Sequence, residues 1–295
     1  MFFEIDAKRK VDPVVRPGVF SFGLPTAGVK VDGDSAFTYS AFWACVKIIS
    51  ETVGYLPWRV MEEGNLRVVA SDHPIDRVVH RMPNSEMSSV TFKELVLAHC
   101  LTWGNAYCEI ERNRLGDVVA LWPVDPERVK VERDKAGKLV YEIHSQAGSK
   151  TVLAPRDVFH VRGPSRDGIN GYSVVQMARE SISLGLATES FGSAYFGNGA
   201  IPGLVIQNKG GAKLNVEGVQ NLLKTWNKQH KGPKNAGKVE YLDAGMEVQQ
   251  LGIPPADSQF LETRKFQITE IARWFRIPPH KLADLERSTH SNIES

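Results

Sequence analysis

The stretch SVVQMARESISLGLATESFGSAYF, residues 173–196, decides how the rest of the chain is read. It opens on a serine suited to cap a first turn, contains no proline and runs into Gly197 and Gly199, so it predicts one long helix closed by glycines. Within it Ala178, Ser181, Gly185, Thr188 and Gly192 recur at spacings of 3, 4, 3 and 4 and so share one face. Each interior glycine costs about 1 kcal/mol of helix stability against alanine. Close backbone approach to another helix offsets that cost. The seam therefore predicts a tight helix–helix contact, and two partners satisfy it: a helix of the same subunit, or a helix of a neighbouring one.

Toward the N-terminus the periodicity changes. Phe42, Cys45, Val46, Ile49 and Val53 fall on one face of a helix that stops at Gly54, YLPWRVMEE (55–63) alternates like a strand, and HPIDRVVHRMPN (73–84) leads to a second helix. That second helix is read as opening on a capping box of Thr91 and Glu94 and as ending at Gly104. It is expected to bury Phe92, Leu95 and Val96, with the lone His99 as a core histidine. AYCEIER and DVVALWPV, then RVKVER and KLVYEIH, read as strands joined by short turns at 113–116 and 134–137, which predicts an antiparallel sheet. The first 35 residues, rich in Pro, Gly and Val without a period, read as an extended arm.

Toward the C-terminus, GLVIQ, VEGVQNLLKTWNKQH, KVEYLDAG and EVQQL describe a small α/β unit inserted between two long helices. The second long helix begins near Asp257, carries Leu261, Ile268, Ile271 and Phe275 on one face, and is ended by Pro278 and Pro279. The residues from Ala283 onward are polar and aperiodic, with no closing element, so a longer natural chain is expected.

Composition sets the outer limits. Of 295 residues, 36 are Lys or Arg and 34 are Asp or Glu, giving a net charge of +2, with 42% hydrophobic and 24% charged residues. These values exclude wholesale disorder, collagen and coiled-coil fibre, and they leave no global field of the kind a dedicated nucleic-acid coat needs. Cys45, Cys100 and Cys108 cannot all pair and show no Cys-x-x-Cys spacing, which fits a reducing compartment. The start, MFFEIDAKRKVDP, has its basic residues after its apolar ones, and no run approaches roughly 18 apolar residues. Neither a secretory signal nor a membrane span is expected, and the protein is read as soluble and cytoplasmic when made.

The chemistry-bearing motifs fail one after another. GPKNAGKV (232–239) satisfies seven positions of a phosphate-binding loop but puts Val239 where magnesium needs a hydroxyl, and it follows a helix instead of a strand. Gly197, Gly199 and Gly203 end a helix where a dinucleotide fingerprint would open one. Gly171-Tyr172-Ser173 lacks the last glycine of a nucleophile elbow, and the eight histidines show no zinc-protease pair. No catalytic residue, cofactor site or metal site is assigned. What stands out is Lys224, Lys228, Lys231, Lys234 and Lys238, with His230 and no acid among them. Such a run is either a solvated face or a contact for nucleic acid or an acidic protein partner, with an affinity that falls steeply as salt rises.

The order of these signals resembles the portal proteins of tailed bacteriophages of the HK97 type. The resemblance rests on AFWACVKIISETVGYLPW (41–58), HPIDRVVHRMPN (73–84), TFKELVLAHCLTWGNAYCEIER (91–112), GDVVALWPVDPERVKV (116–131), DVFHVRG (157–163), DGINGYSVV (167–175), FGNGAIPGLVI (196–206) and DSQFLETRKFQITEIARWFRIPPHKL (257–282). No block is as specific as a metal signature; their order and spacing carry the likeness. It implies a ring of identical subunits, usually a dodecamer, at one vertex of a procapsid, with DNA driven through the channel by a separate terminase.

On that resemblance the fold class is α+β. Residues 1–35 form an N-terminal arm, 36–164 an α+β wing, 165–199 the first stem helix, 200–256 an α/β clip, 257–279 the second stem helix and 280–295 the start of a polar tunnel loop. The family's C-terminal crown would lie beyond the chain. The implied partners are further copies of the chain, the terminase large subunit, the capsid protein, a head–tail connector and double-stranded DNA held without sequence preference, in the virion and with no membrane and no cofactor. The seam residues would then serve ring assembly and the lysines would meet DNA or terminase. A ring that passes DNA needs no large positive charge, and no ATP site is needed where a separate motor works. Two other classes remain in play: an oligomeric head or tail component without the gateway role, and an enzyme whose site is assembled from distant segments.

Overall fold

The computed structural model describes residues 24–64, 68–145, 148–197, 204–209, 215–230, 246–250 and 257–283. It divides into two compact units, one holding Val31–Arg179 and the other Leu24–Lys30 together with the described part of Glu180–Ser295.

In the first unit, helices α1 (Gly33–Thr38) and α2 (Ser40–Gly54) precede α3 (Pro74–His80) and α4 (Ser89–Trp103). Asp32 caps α1 through a reciprocal box with Ser35. On α2 the predicted stripe faces inward, with Phe42, Cys45 and Val46 fully buried. Gly54 closes α2 against α4, where an added Cβ would lie 2.8 Å from Cγ of Glu94. The cap of α4 differs from expectation. Ser88, not Thr91, is the N-cap, accepting from the Thr91 amide at 3.2 Å, while the Thr91 hydroxyl shares a 2.9 Å hydrogen bond with it. Ser88 has the extended dihedrals that a cap requires, so the helix starts one turn earlier.

The expected antiparallel sheet is present as two three-stranded sheets. One has the order β2 (Val118–Val124), β1 (Asn105–Arg112), β6 (Val158–Arg162). The other has the order β3 (Val129–Arg133), β4 (Leu139–His144), β5 (Lys150–Leu153). A 3-10 turn at Pro126–Arg128, capped by Asp125, ends the first hairpin, and β6 returns to pair with the free edge of β1. Residues 55–63 contribute only an isolated bridge, Met61 with Val69.

As the central strand of its sheet, β1 feeds two cores through the two-residue alternation of its side chains. Ala106 and Cys108 join Val78, Phe92, Val96 and Leu121 beneath α3 and α4, whereas Tyr107 joins Val131, Tyr141 and Val158 on the other side. Full burial of Phe92 and Val96 contributes about 1.5–3 kcal/mol each.

The long helix read from residues 173–196 is interrupted. A short α5 (Val174–Met177) ends at Ala178, whose dihedrals of −91° and 8° leave the helical region, and α6 (Arg179–Gly197) follows. In the second unit β7 (Leu204–Asn208) pairs antiparallel with β8 (Met246–Gln250), α7 spans Val216–His230 and α8 spans Asp257–Phe275. Ile182 on α6 and Ile271 on α8 are fully buried. Among the described residues no helix is long and apolar enough to cross a membrane. The fold is α+β.

Candidate functional site

Three glycines bring the backbone together where the chain leaves the first unit's sheet. Gly104 caps α4 in the left-handed region, with φ +77°, and a Cβ there would stand 2.2 Å from the carbonyl oxygen of Tyr172. A Cβ on Gly171 would stand 1.9 Å from the Gly104 oxygen, to which Gly163 donates its amide at 2.8 Å. At Gly104 and Gly171 no side chain other than hydrogen fits.

Asn105 closes the same junction. Its Oδ1 accepts from the Gly171 amide at 2.8 Å and its Nδ2 donates to the Gly171 and Trp103 carbonyls at 3.0 and 3.3 Å. His160 Nε2 lies 3.0 Å from Asn105 Oδ1, so Nε2 carries the proton and Nδ1 accepts from the Tyr141 hydroxyl at 3.1 Å. Burial, and to a lesser degree the Arg162 guanidinium, push His160 down to about 4, so the ring is neutral at pH 7. Ser173 donates to the Thr102 carbonyl at 2.9 Å while capping α5. The direction in which the chain enters α5 is therefore set by hydrogen bonds from α4 and β1. Sequence reasoning read Gly104 only as a helix stop and Gly171 only within a failed elbow motif, and assigned no role to Asn105, His160 or Gly163. The signal was the set of short blocks WGNAY, FHVRG and DGINGY, which hold all five residues yet are far apart in sequence.

The small-residue seam lies on α6 and just ahead of it. Ala178, at the break before α6, is buried, as are Gly185 and Gly192, while Ser181 and Thr188 are half-buried. At Gly192 the neighbour is α8 of the same chain: an added Cβ would stand 2.9 Å from Cζ of Phe260. Phe191 packs its ring 5.9 Å from that of Phe260, and Arg264 of α8 lies 3.7 Å from Glu189. A strap formed by Leu24–Lys30 also holds α6, through the Thr26 amide on Glu180 at 3.0 Å and the Ser183 hydroxyl on the Val29 carbonyl at 2.9 Å. Leu184 and Phe191 on α6 stay 43% and 49% exposed, Phe191 with its ring partly covered by Phe260.

Of the lysine run, Lys224 and Lys228 lie exposed on α7; Lys231, Lys234 and Lys238 lie outside the described residues, as do the 232–239 loop motif and the KVEYLDAG segment. Among the described residues no cluster of His, Cys, Asp and Glu is arranged to hold a metal ion. Burial pushes Cys45 and Cys108 up to about 12, so both thiols are protonated at neutral pH and poor nucleophiles. His99 is half-buried edge-on to Trp103, and burial lowers its pKa.

Comparison with known proteins gives this arrangement a context. The family profile described as "Phage portal protein" matches residues 40–295. The "Probable portal protein" of Streptomyces phage phiC31 is 32% identical over 288 residues, covering 92% of this chain and 61% of that protein. The "Portal protein" of Enterobacteria phage HK97 is 28% identical over 262 residues, covering 88% and 61%. The chain thus spans about three fifths of the length of these relatives. Among solved structures, an HK97 family phage portal protein from Corynebacterium diphtheriae superposes with a TM-score of 0.64 at 16% identity, covering 87% of this chain and 79% of the other. A chain from the neck of an empty gene transfer agent particle, computed with C6 symmetry, gives 0.61 at 24% identity, covering 91% and 76%. With a family match from residue 40 to residue 295, the chain belongs to the phage portal protein family, and it shares its fold with an HK97 family portal protein.

Proposed function

We propose that this chain is one subunit of a closed ring at a single capsid vertex, through which double-stranded DNA is packaged and later ejected. In this reading it performs no chemistry of its own. The observation that carries the proposal is the family match across residues 40–295. A structural role in a phage particle follows from it, and the gateway role goes further. The symmetries of gene transfer agent necks, computed as C6 and C12, support a ring.

Residues 36–164 would then form the wing, 165–199 the first stem helix, 200–256 the clip and 257–279 the second stem helix, with 280–295 beginning the tunnel loop. The seam sets the spacing of α6 and α8 inside one subunit, as Phe260 against Gly192 supports. The neighbouring subunit meets the parts of Leu184 and Phe191 on α6 that one subunit leaves exposed. Lys224, Lys228, Lys231, Lys234 and Lys238 face incoming DNA or the terminase, while the capsid protein and a head–tail connector hold the ring in the virion.

The test has two arms. The purified full-length protein forms closed rings in negative-stain class averages, and a monodisperse monomer with metal-dependent nuclease activity would remove the proposal. Deletion of its gene from an infecting phage leaves empty heads with unpackaged DNA, whereas filled heads lacking tails would assign the protein elsewhere in the particle. Exchange of Lys228, Lys231 and Lys234 for Glu impairs packaging or motor docking; unchanged packaging would assign those lysines to solvation.

A further inference from the structure

The α5–α6 segment is broken where its own sequence gives no reason to break. Gln176, Met177, Ala178, Arg179 and Glu180 are all strong helix formers, with neither proline nor glycine among them. Yet Ala178 has φ −91° and ψ 8°, in the bridge region, with ψ about 50° from that of a regular helix. A break that local preference does not write is imposed by contacts from elsewhere in the chain. Both sides of it are tied. On the α5 side, Ser173 donates to the Thr102 carbonyl at 2.9 Å and accepts from the Gln176 amide at 3.2 Å. On the α6 side, the first turn is held by the strap: Thr26 donates its amide to the Glu180 carboxylate at 3.0 Å, and the fully buried Ser183 donates to the Val29 carbonyl at 2.9 Å. Glu180 and Ser183 stand three residues apart and share a face, so the strap lies along one side of this turn. Within the strap, the Gly28 amide closes a turn on the Pro25 carbonyl at 2.8 Å. The contacts of α6 with α8 at Glu189, Phe191 and Gly192 lie further along the helix.

We infer that the Leu24–Lys30 strap is a latch that holds the α5–α6 segment broken at Ala178, and that releasing it lets residues 174–197 close into one continuous helix. The strap competes with the helix. Its bonds to Glu180 and Ser183 fix the direction of the first turn of α6, whereas continuous i to i−4 bonding out of α5 demands the direction that Ser173 sets. The two arrangements differ by a few backbone bonds around one residue, a small gap of the kind across which binding or cleavage shifts a population. The chain passes between its two units at 30/31 and again at 179/180, so the latch ties together residues that adjoin both crossings. Whatever captures or cleaves the chain ahead of Val31 therefore acts on the start of α6. This inference does not depend on the ring reading.

The test is hydrogen–deuterium exchange on the full-length protein, read over peptides that span residues 174–183. Thr26→Pro removes the amide donor without altering either helix, and proline suits the second position of the Pro25–Gly28 turn. Ser183→Ala removes the other strap bond. With both changes, exchange over 174–183 becomes about three- to tenfold slower than in the wild type, the effect of recovering one backbone hydrogen bond, although two native bonds have been taken away. Thr26→Ala, which keeps the amide, exchanges as the wild type does. Faster exchange in the double variant overturns the inference, because the strap then only props up a weak turn. Unchanged exchange overturns it as well and assigns the break to packing along α6. Should the double variant fail to fold, Thr26→Pro alone, which leaves every residue of both helices in place, is read in the same way: slower exchange is expected, and faster or unchanged exchange removes the latch.

Discussion

The glycine crossing between Gly104, Gly163 and Gly171 makes a quantitative prediction about what holds the exit of the first unit together. In Gly104→Ala the new residue must adopt φ near +77°, which costs an L residue about 1–2 kcal/mol. Its Cβ would also stand 2.2 Å from the Tyr172 oxygen, a backbone atom that can only yield by shifting the 171–173 segment at least about 1.2 Å, to ordinary contact distance. That shift strains the Gly163 amide bond to the Gly104 carbonyl and the Asn105 bonds to Gly171, each worth about 1 kcal/mol. The sum is about 4 kcal/mol. Gly116→Ala is the matched control: its φ is +91°, yet nothing lies within 4 Å of an added Cβ, so only the dihedral cost of about 1–2 kcal/mol applies. Urea unfolding followed by tryptophan fluorescence compares the two midpoints, with an unchanged slope confirming that stability alone moved. If the two variants lose stability equally, to within about 0.5 kcal/mol, the crossing is not what fixes this junction and the argument fails.

Three further outcomes follow from the same geometry. Asn105→Ala, which leaves the Gly171 amide and carbonyl without their partner, loses about 2–4 kcal/mol in the same assay, and a loss below about 0.5 kcal/mol would show that water replaces the side chain. His160 is held neutral, with a pKa of about 4 against about 6.5 in the unfolded chain, so between those values the unfolded state binds the extra proton and stability falls as pH falls. Discounted for partial exposure, the drop from pH 7 to pH 4.5 is about 2 kcal/mol; His160→Gln flattens it, and an equal drop in that variant would exonerate His160. Gly192→Leu destabilises the second unit by about 2–3 kcal/mol through collision with Phe260, and Phe260→Ala added to it restores part of that loss; strict additivity would mean that the two residues do not meet.

Much of the fold was legible because local physics wrote it. The i, i+3, i+4 recurrence of Phe42, Cys45 and Val46 gave α2, and AYCEIER and DVVALWPV with a short turn between them gave an antiparallel strand pair, which the structure has as β1 and β2. What was not legible depended on partners distant in sequence. Whether β2 continues into β3 or stops was decided by β6, some thirty residues later, taking the other edge of β1. The break at Ala178 carries no proline or glycine and falls next to the boundary between the two units, which periodicity alone does not mark. The seam was visible as spacing, but spacing cannot say whose helix fills it. Phe260, nearly seventy residues away, answers that at Gly192, and its own sequence context, DSQFLET, shows only one aromatic on a polar helix. The same logic governs the glycine crossing. Gly104, Gly163 and Gly171 each look like an ordinary helix stop or turn, and only their meeting in space explains why Gly104 and Gly171 must lack a side chain, while an added Cβ on Gly163 would stand 3.3 Å from the Gly104 oxygen. Assembly surfaces are the far end of this progression. Leu184 and Phe191 stay 43% and 49% exposed in one subunit, and only the ring proposed above would give them a neighbour to meet.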